Sequence, residues 1–148
     1  MKVKTDEGIK DMQVVWMEDD SVKMIDQRFL PKELRYFTAE DYKDIKKSIK
    51  EMAIRGAPAI GVTAAYGIAQ AAVKGVDLKK AEREIKSARP TAFDLFYAVD
   101  YMLDRIEKDP IQQAKDYAES VVEKCRLIGE HGAELIENGD SLLTHCNA

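Results

Sequence analysis

From Pro58 to Val73 the chain carries almost no polar side chain: Ala59, Ile60, Gly61, Val62, Ala64, Ala65, Gly67, Ile68, Ala69, Ala71 and Ala72 fall in one stretch. Pro58 suits the opening of a helix there, since a first turn has no use for the N–H that proline lacks. A helix apolar on every side cannot face water and must be surrounded by other elements. Its small residues let those neighbours approach closely. Gly61 and Gly67 each cost about 1 kcal/mol against alanine in a helix interior, so close packing has to compensate. The run also falls short of the roughly 20 residues that span a bilayer. A buried central helix is therefore the constraint that the rest of the chain must satisfy.

The segments around it supply the wrapping. Gln13 to Met17 and Val22 to Ile25 are short runs rich in strand formers, and the polar Glu18-Asp19-Asp20-Ser21 between them predicts a hairpin turn. Pro31 breaks the chain, and from Thr38 onward the period becomes helical. Thr38 with Asp41 resembles a capping box, and Tyr42, Ile45, Ile49 and Met52 follow at helical spacing. Lysines 43, 46, 47 and 50 are interleaved with Asp41, Asp44 and Glu51, which marks a solvated face rather than a binding patch. Further helices are expected over 77–86, 91–107 and 110–136. The last carries Ile111, Ala114, Ala118, Val121, Cys125, Ile128, Gly132 and Leu135 at alternate spacings of three and four, with Asp109-Pro110 as its start and Asn138-Gly139 as its stop. Cys125, on that stripe, is expected to be a buried, inert thiol.

At 148 residues, 45% hydrophobic and 34% charged, the chain has the make-up of an ordinary globular protein with one real core. A net charge of -4 gives no overall electrostatic footprint for nucleic acid or acidic membranes. An anionic ligand would have to be held by a few placed cations and backbone amides. Met1 to Glu7 lacks the apolar region of a signal peptide. Two cysteines without a CxxC and two histidines argue against a disulfide scaffold or a zinc site. A reduced, cytoplasmic protein without membrane or nucleic-acid partners is the expectation.

The strongest chemical signal is Arg55-Gly56-Ala57-Pro58-Ala59-Ile60-Gly61, a cation and a glycine just ahead of the buried helix. Free N–H groups and the positive end of the dipole favour an anion at such a start. Gly56 admits a close approach, and Arg55 can add a two-pronged hydrogen bond to a phosphate. On spacing alone this reading stands level with a plain helix–helix turn. Arg89-Pro90-Thr91-Ala92 repeats the theme more weakly, with Thr91 as the expected cap, and on pattern alone a structural arginine paired to a carboxylate is the favoured reading. Ser141 to Ala148 runs from apolar to polar residues in the manner of a buried strand delivering side chains at its carboxyl end. It would pair either with the hairpin or with a sheet this chain does not carry, and the second is favoured. Cys146 lies at its end between His145 and Asn147, a modest case for reactivity. His131 has no partner signature, and Arg28, after Asp26-Gln27, suits a loop ion pair better than a ligand contact.

Asp26-Gln27-Arg28-Phe29-Leu30-Pro31, the Arg55 to Gly61 string, Arg89-Pro90-Thr91-Ala92 and Leu143-Thr144-His145-Cys146-Asn147-Ala148, in this order, resemble the amino-terminal half of methylthioribose-1-phosphate isomerase. Ribose-1,5-bisphosphate isomerase and regulatory subunits of a translation-initiation exchange factor share that superfamily. The resemblance implies an α+β fold: an amino-terminal β-hairpin plus helical bundle over 1–139, then the first strand of a truncated Rossmann-like α/β domain over 140–148. It implies substrate contacts from Arg55, Gly56, Ala57 and Arg89, and makes Cys146 the catalytic cysteine. The implied activity is the aldose–ketose isomerisation of 5-methylthioribose 1-phosphate in methionine salvage, with no cofactor or metal. The family's catalytic aspartate lies in its carboxyl-terminal half, so this chain alone is expected to be inactive. Its expected partners are the sugar phosphate and either a second copy or a complementing carboxyl-terminal half. The rival readings are a non-enzymatic regulatory or assembly subunit and an isomerase of another pentose phosphate.

Overall fold

A computed structural model describes residues 2–5, 8–106 and 109–145. Among these residues five strands precede five helices: β1 Lys2–Thr5, β2 Gly8–Asp11, β3 Val15–Glu18, β4 Ser21–Ile25, β5 Tyr36–Ala39, then α1 Tyr42–Lys50, α2 Ala57–Val73, α3 Leu78–Lys86, α4 Phe93–Leu103 and α5 Pro110–Ala133. The architecture is α+β, as the sequence implies.

The expected hairpin is β3–β4, antiparallel with Val15 opposite Met24 and Glu18 opposite Ser21. Its two-residue turn holds Asp19 at φ 52, a left-handed conformation that aspartate tolerates better than most residues. The structure adds β5 on the other side of β4, with Val22 opposite Ala39, and a separate β1–β2 hairpin. This corrects the reading of Thr38: it lies in β5 opposite Lys23. The cap of α1 is Asp41 itself, whose Oδ1 accepts from the N–H of Lys43 at 2.7 Å and of Asp44 at 3.1 Å. Tyr36-Phe37-Thr38 is aromatic and β-branched, and those residues suit a pleated surface.

At the centre is α2, buried continuously from Ile60 to Ala71. Two glycines let its neighbours in. A Cβ on Gly67 would stand 2.8 Å from Ile45 Cγ2 of α1 and 3.1 Å from Ile85 Cδ1 of α3. One on Gly61 would meet the Asp94 carbonyl of α4 at 3.0 Å and the Tyr117 hydroxyl of α5 at 3.3 Å. Gln70, deep in the core, donates through Nε2 to the carbonyls of Asp20 at 2.9 Å and Ala39 at 3.0 Å. That side chain pins α2 to the hairpin turn and to the end of β5.

Helix α5 departs from expectation in its second half. Ala114 and Tyr117 are buried, but Cys125 is exposed and Ile128 is 72% exposed. Cys125 is therefore not a buried thiol: the stripe continues beyond the bundle that covers its first turns. The helix ends at Ala133, before the expected Ile136, and Asn138-Gly139 forms a later turn with Gly139 at φ 104. Residues 141–145 are exposed and irregular, with no ladder partner among the described residues. A strand needs a neighbour to satisfy its backbone, and the three-stranded sheet does not supply one here. Residues 146–148, with Cys146, lie outside the described residues.

Candidate anion-binding site

Three of the five helices open on an aspartate that accepts from first-turn amides. Asp41 caps α1, Asp77 bonds the Lys79 N–H at 3.0 Å, and Asp109 bonds the Gln112 N–H at 3.0 Å. The other two, α2 and α4, have no side-chain cap among the described residues. These are the helices that follow the two arginine motifs. The N-cap of α4 is Ala92, so Thr91 does not take the capping role expected of it.

The α2 start is shaped by Gly56, at φ 94 and ψ 128, a conformation that side chains strongly disfavour. The first intrahelical bond runs from the Ile60 N–H to the Gly56 carbonyl at 2.9 Å. Earlier amides of a helix have no intrahelical partner, and here Ala57 and Pro58 are solvent-exposed. The packing of Gly61 against Asp94 places one turn of α2 beside the first turn of α4. The two uncapped starts therefore lie near each other, and the positive end of each helix dipole favours an anion.

Arg55 stands half-buried at the rim of α2. Its Nη2 donates to the Gln27 carbonyl at 2.6 Å, and the Gln27 Nε2 donates back to the Arg55 carbonyl at 3.3 Å. The Gln27 N–H reaches the Ala53 carbonyl at 2.8 Å. Sequence reasoning missed Gln27 as the support of this loop; its place beside Asp26 and Arg28 was the available signal. The buried Arg55 Nε has no hydrogen-bond partner among the described residues. Arg89 is half-buried, and its guanidinium makes no hydrogen bond or ion pair among the described residues.

Arg28 forms the expected loop ion pair. Its Nη2 meets Asp26 Oδ2 at 2.6 Å, its Nε donates to Asp26 Oδ1 at 2.8 Å, and its Nη1 meets Glu51 at 2.9 Å. The hydrogen bonds from Arg28 hold the buried Asp26 carboxyl below its ordinary range. The fork of donors is thus spent on the loop, leaving Arg55 and Arg89 as the cations at the helix starts.

One group opposes an anion. Asp94, half-buried in the first turn of α4, takes up part of that helix's positive end. Burial, followed by the Asp94 charge, pushes the Tyr117 hydroxyl up to about 12. Beside the α2 start lies an open cleft of about 500 Å³, lined by Val14, Val15, Pro58, Ala59, Val62 and Val121 among others. Sequence reasoning did not anticipate it, because its walls come from three distant segments. No helix of the described residues is long and apolar enough to cross a membrane. Among the described residues no group of three or more His, Cys, Asp or Glu side chains could hold a metal ion.

Residues 53–148 match the Initiation factor 2 subunit family. A protein of Methanothermobacter thermautotrophicus, whose name assigns it provisionally to the methylthioribose-1-phosphate isomerases, is 48% identical over 137 residues. That match takes in 93% of this chain and 43% of the relative. The crystal structure of 5-methylthioribose 1-phosphate isomerase from Pyrococcus horikoshii superposes with a TM-score of 0.68 at 29% identity, over 88% of this chain and 42% of that one. The structure of translation initiation factor eIF-2B subunit delta from A. fulgidus gives 0.66 at 31% identity, over 88% and 43%. The chain thus spans less than half the length of the relatives it matches, and with well over half of its residues inside the family match it belongs to the Initiation factor 2 subunit family.

Proposed function

We propose that this chain is the amino-terminal portion of an aldose–ketose isomerase that converts 5-methylthioribose 1-phosphate to 5-methylthioribulose 1-phosphate in methionine salvage. The observation that carries the reading is the pair of uncapped, adjacent helix starts, each preceded by an arginine. A sugar phosphate presents one strong charge, and such a site matches it with two cations and free amides. The substrate contacts are Arg55, Gly56, Ala57 and Arg89.

The chemistry follows from the substrate. Its anomeric carbon carries the phosphate, so the ring must open with the phosphate retained before hydrogen passes between C2 and C1. An acid is needed at the ring oxygen. The aspartate for that work belongs to a Rossmann-like second domain in the part of the relatives that this chain does not span, and Cys146 is the catalytic cysteine of this reading. Cys146 serves either as the base for a proton transfer or as a neighbour that steadies developing charge during a hydride shift. On this reading the 148-residue chain assayed by itself should show no turnover, because the acid at the ring oxygen comes from the part of the relatives it does not span.

The test is a fusion of this chain to the carboxyl-terminal part of the M. thermautotrophicus relative, assayed for loss of 5-methylthioribose 1-phosphate beside the 148-residue chain. Turnover by the fusion and none by the chain is the expected outcome. Turnover by the chain alone would overturn the account of the machinery. A second reading, a regulatory or assembly subunit, is favoured by the likeness to the A. fulgidus initiation factor subunit. A well-folded fusion that binds no sugar phosphate would select it.

A further inference from the structure

We infer that the second half of α5 and the apolar side of the cleft beside it form the seat of the carboxyl-terminal domain that the longer relatives carry. This rests on the proposed function above and names the surface through which its two halves meet. Large apolar side chains stand exposed over the last quarter of the chain. Tyr117 is buried, but Val122 is 62% exposed, Ile128 72%, Leu135 82% and Leu142 74%, with Leu127 at 38% and Ile136 at 46% more covered. Large apolar side chains left exposed in one segment point to an interaction site more than the same residues scattered singly would. It is continuous with the cleft, since Val121, Val122 and Cys125 belong to both.

The polar residues between these positions say what kind of partner fits. Arg126 pairs with Glu123 at 2.6 Å and also with Glu130, so the arginine beside the stripe is matched on the helix itself. Nothing there calls for an acidic peptide or a nucleic acid; the complement is an apolar face. Two facts select the other half of the relatives over a second copy. The relatives are more than twice as long as the part this chain matches. The exposed positions from Val122 to Leu143 also lie in the part of the chain nearest to where the longer relatives continue. Docking there closes the open side of the cleft next to Pro58 and Ala59, beside the α2 start.

The experiment compares amide hydrogen exchange over 122–133 in the isolated 148-residue chain and in its fusion to the carboxyl-terminal part of the M. thermautotrophicus relative. Exchange should slow at least ten-fold in the fusion. Ile128→Asp should reverse the slowing, since a buried branched side chain is worth about ten-fold or more in association. Ile9→Asp, equally exposed but on β2, should leave the slowing intact. Should the fusion not fold, binding of the separately expressed part to the chain, abolished by Ile128→Asp, supplies the same test. Equal exchange in both proteins, or slowing untouched by Ile128→Asp, overturns the proposal. So does an isolated chain that sediments as a dimer and becomes monomeric with Ile128→Asp. None of these readouts involves substrate, so failure here is distinct from failure of the isomerase reading.

Discussion

Gly61 holds the two helix starts together, and its replacement gives a prediction whose size follows from the structure. A Cβ there would stand 3.0 Å from the Asp94 carbonyl, a backbone atom that no rotamer change can move, and 3.3 Å from the Tyr117 hydroxyl. Gly61→Ala recovers about 1 kcal/mol of helix propensity and incurs about 1–3 kcal/mol of overpacking, a net loss of up to about 2 kcal/mol. Gly61→Leu adds three more carbons in the same direction and should cost about 3 kcal/mol or more. Gly129, in α5, has nothing within 4 Å of its ideal Cβ. Gly129→Ala should therefore stabilise by up to about 1 kcal/mol. Thermal unfolding followed by circular dichroism reads these as shifts of about 2–4 °C per kcal/mol. The two alanine variants should move in opposite directions, or Gly61→Ala should stay near wild type while Gly129→Ala rises. An unshifted Gly61→Leu, or equal gains for both alanine variants, would refute the close approach of α2 to α4.

Other outcomes follow from named contacts. Asp26 has its folded pKa depressed by Arg28, so its contribution is present above the unfolded value of about 3.9 and is lost as pH falls through the lower folded value. Asp26→Asn should flatten the stability profile below about pH 4 and cost about 1–3 kcal/mol in urea unfolding near neutrality, less than a fully buried pair because Arg28 is partly exposed. Gln70→Leu strands the Asp20 and Ala39 carbonyls and should cost about 2–4 kcal/mol by the same assay, from two lost hydrogen bonds at about 1–2 kcal/mol each. In the active fusion, Arg55→Lys keeps the charge but loses the planar fork, and kcat/KM should fall roughly ten- to a hundred-fold.

The elements most legible in the sequence were those whose local residue pattern leaves a single reading. The all-apolar run of α2 could only be a buried helix, and Asp77, Asp109 and Pro110 announced their helix starts. The strand β5 was hidden because its four residues adjoin the Asp41 cap, so a helical reading absorbed Thr38. The stripe of α5 was read correctly as apolar and wrongly as buried at Cys125, because periodicity shows that a face seeks cover and not whether this chain supplies it. At the candidate site, the arginines and Gly56 stood out by type and position. The packing of Gly61 on Asp94 and the bonds between Gln27 and Arg55 link residues far apart in the chain, and only the fold brings them together.

The most direct test of the central claim is a backbone amide titration of the 148-residue chain with 5-methylthioribose 1-phosphate, run beside unphosphorylated 5-methylthioribose. The account predicts saturable shifts at Gly56, Ala57, Ala59, Ala92 and Phe93 with the phosphorylated sugar, absent with the other and weakened by Arg55→Lys. Shifts confined to other regions, or equal responses to both sugars, would contradict the assignment of these two helix starts as the phosphate site.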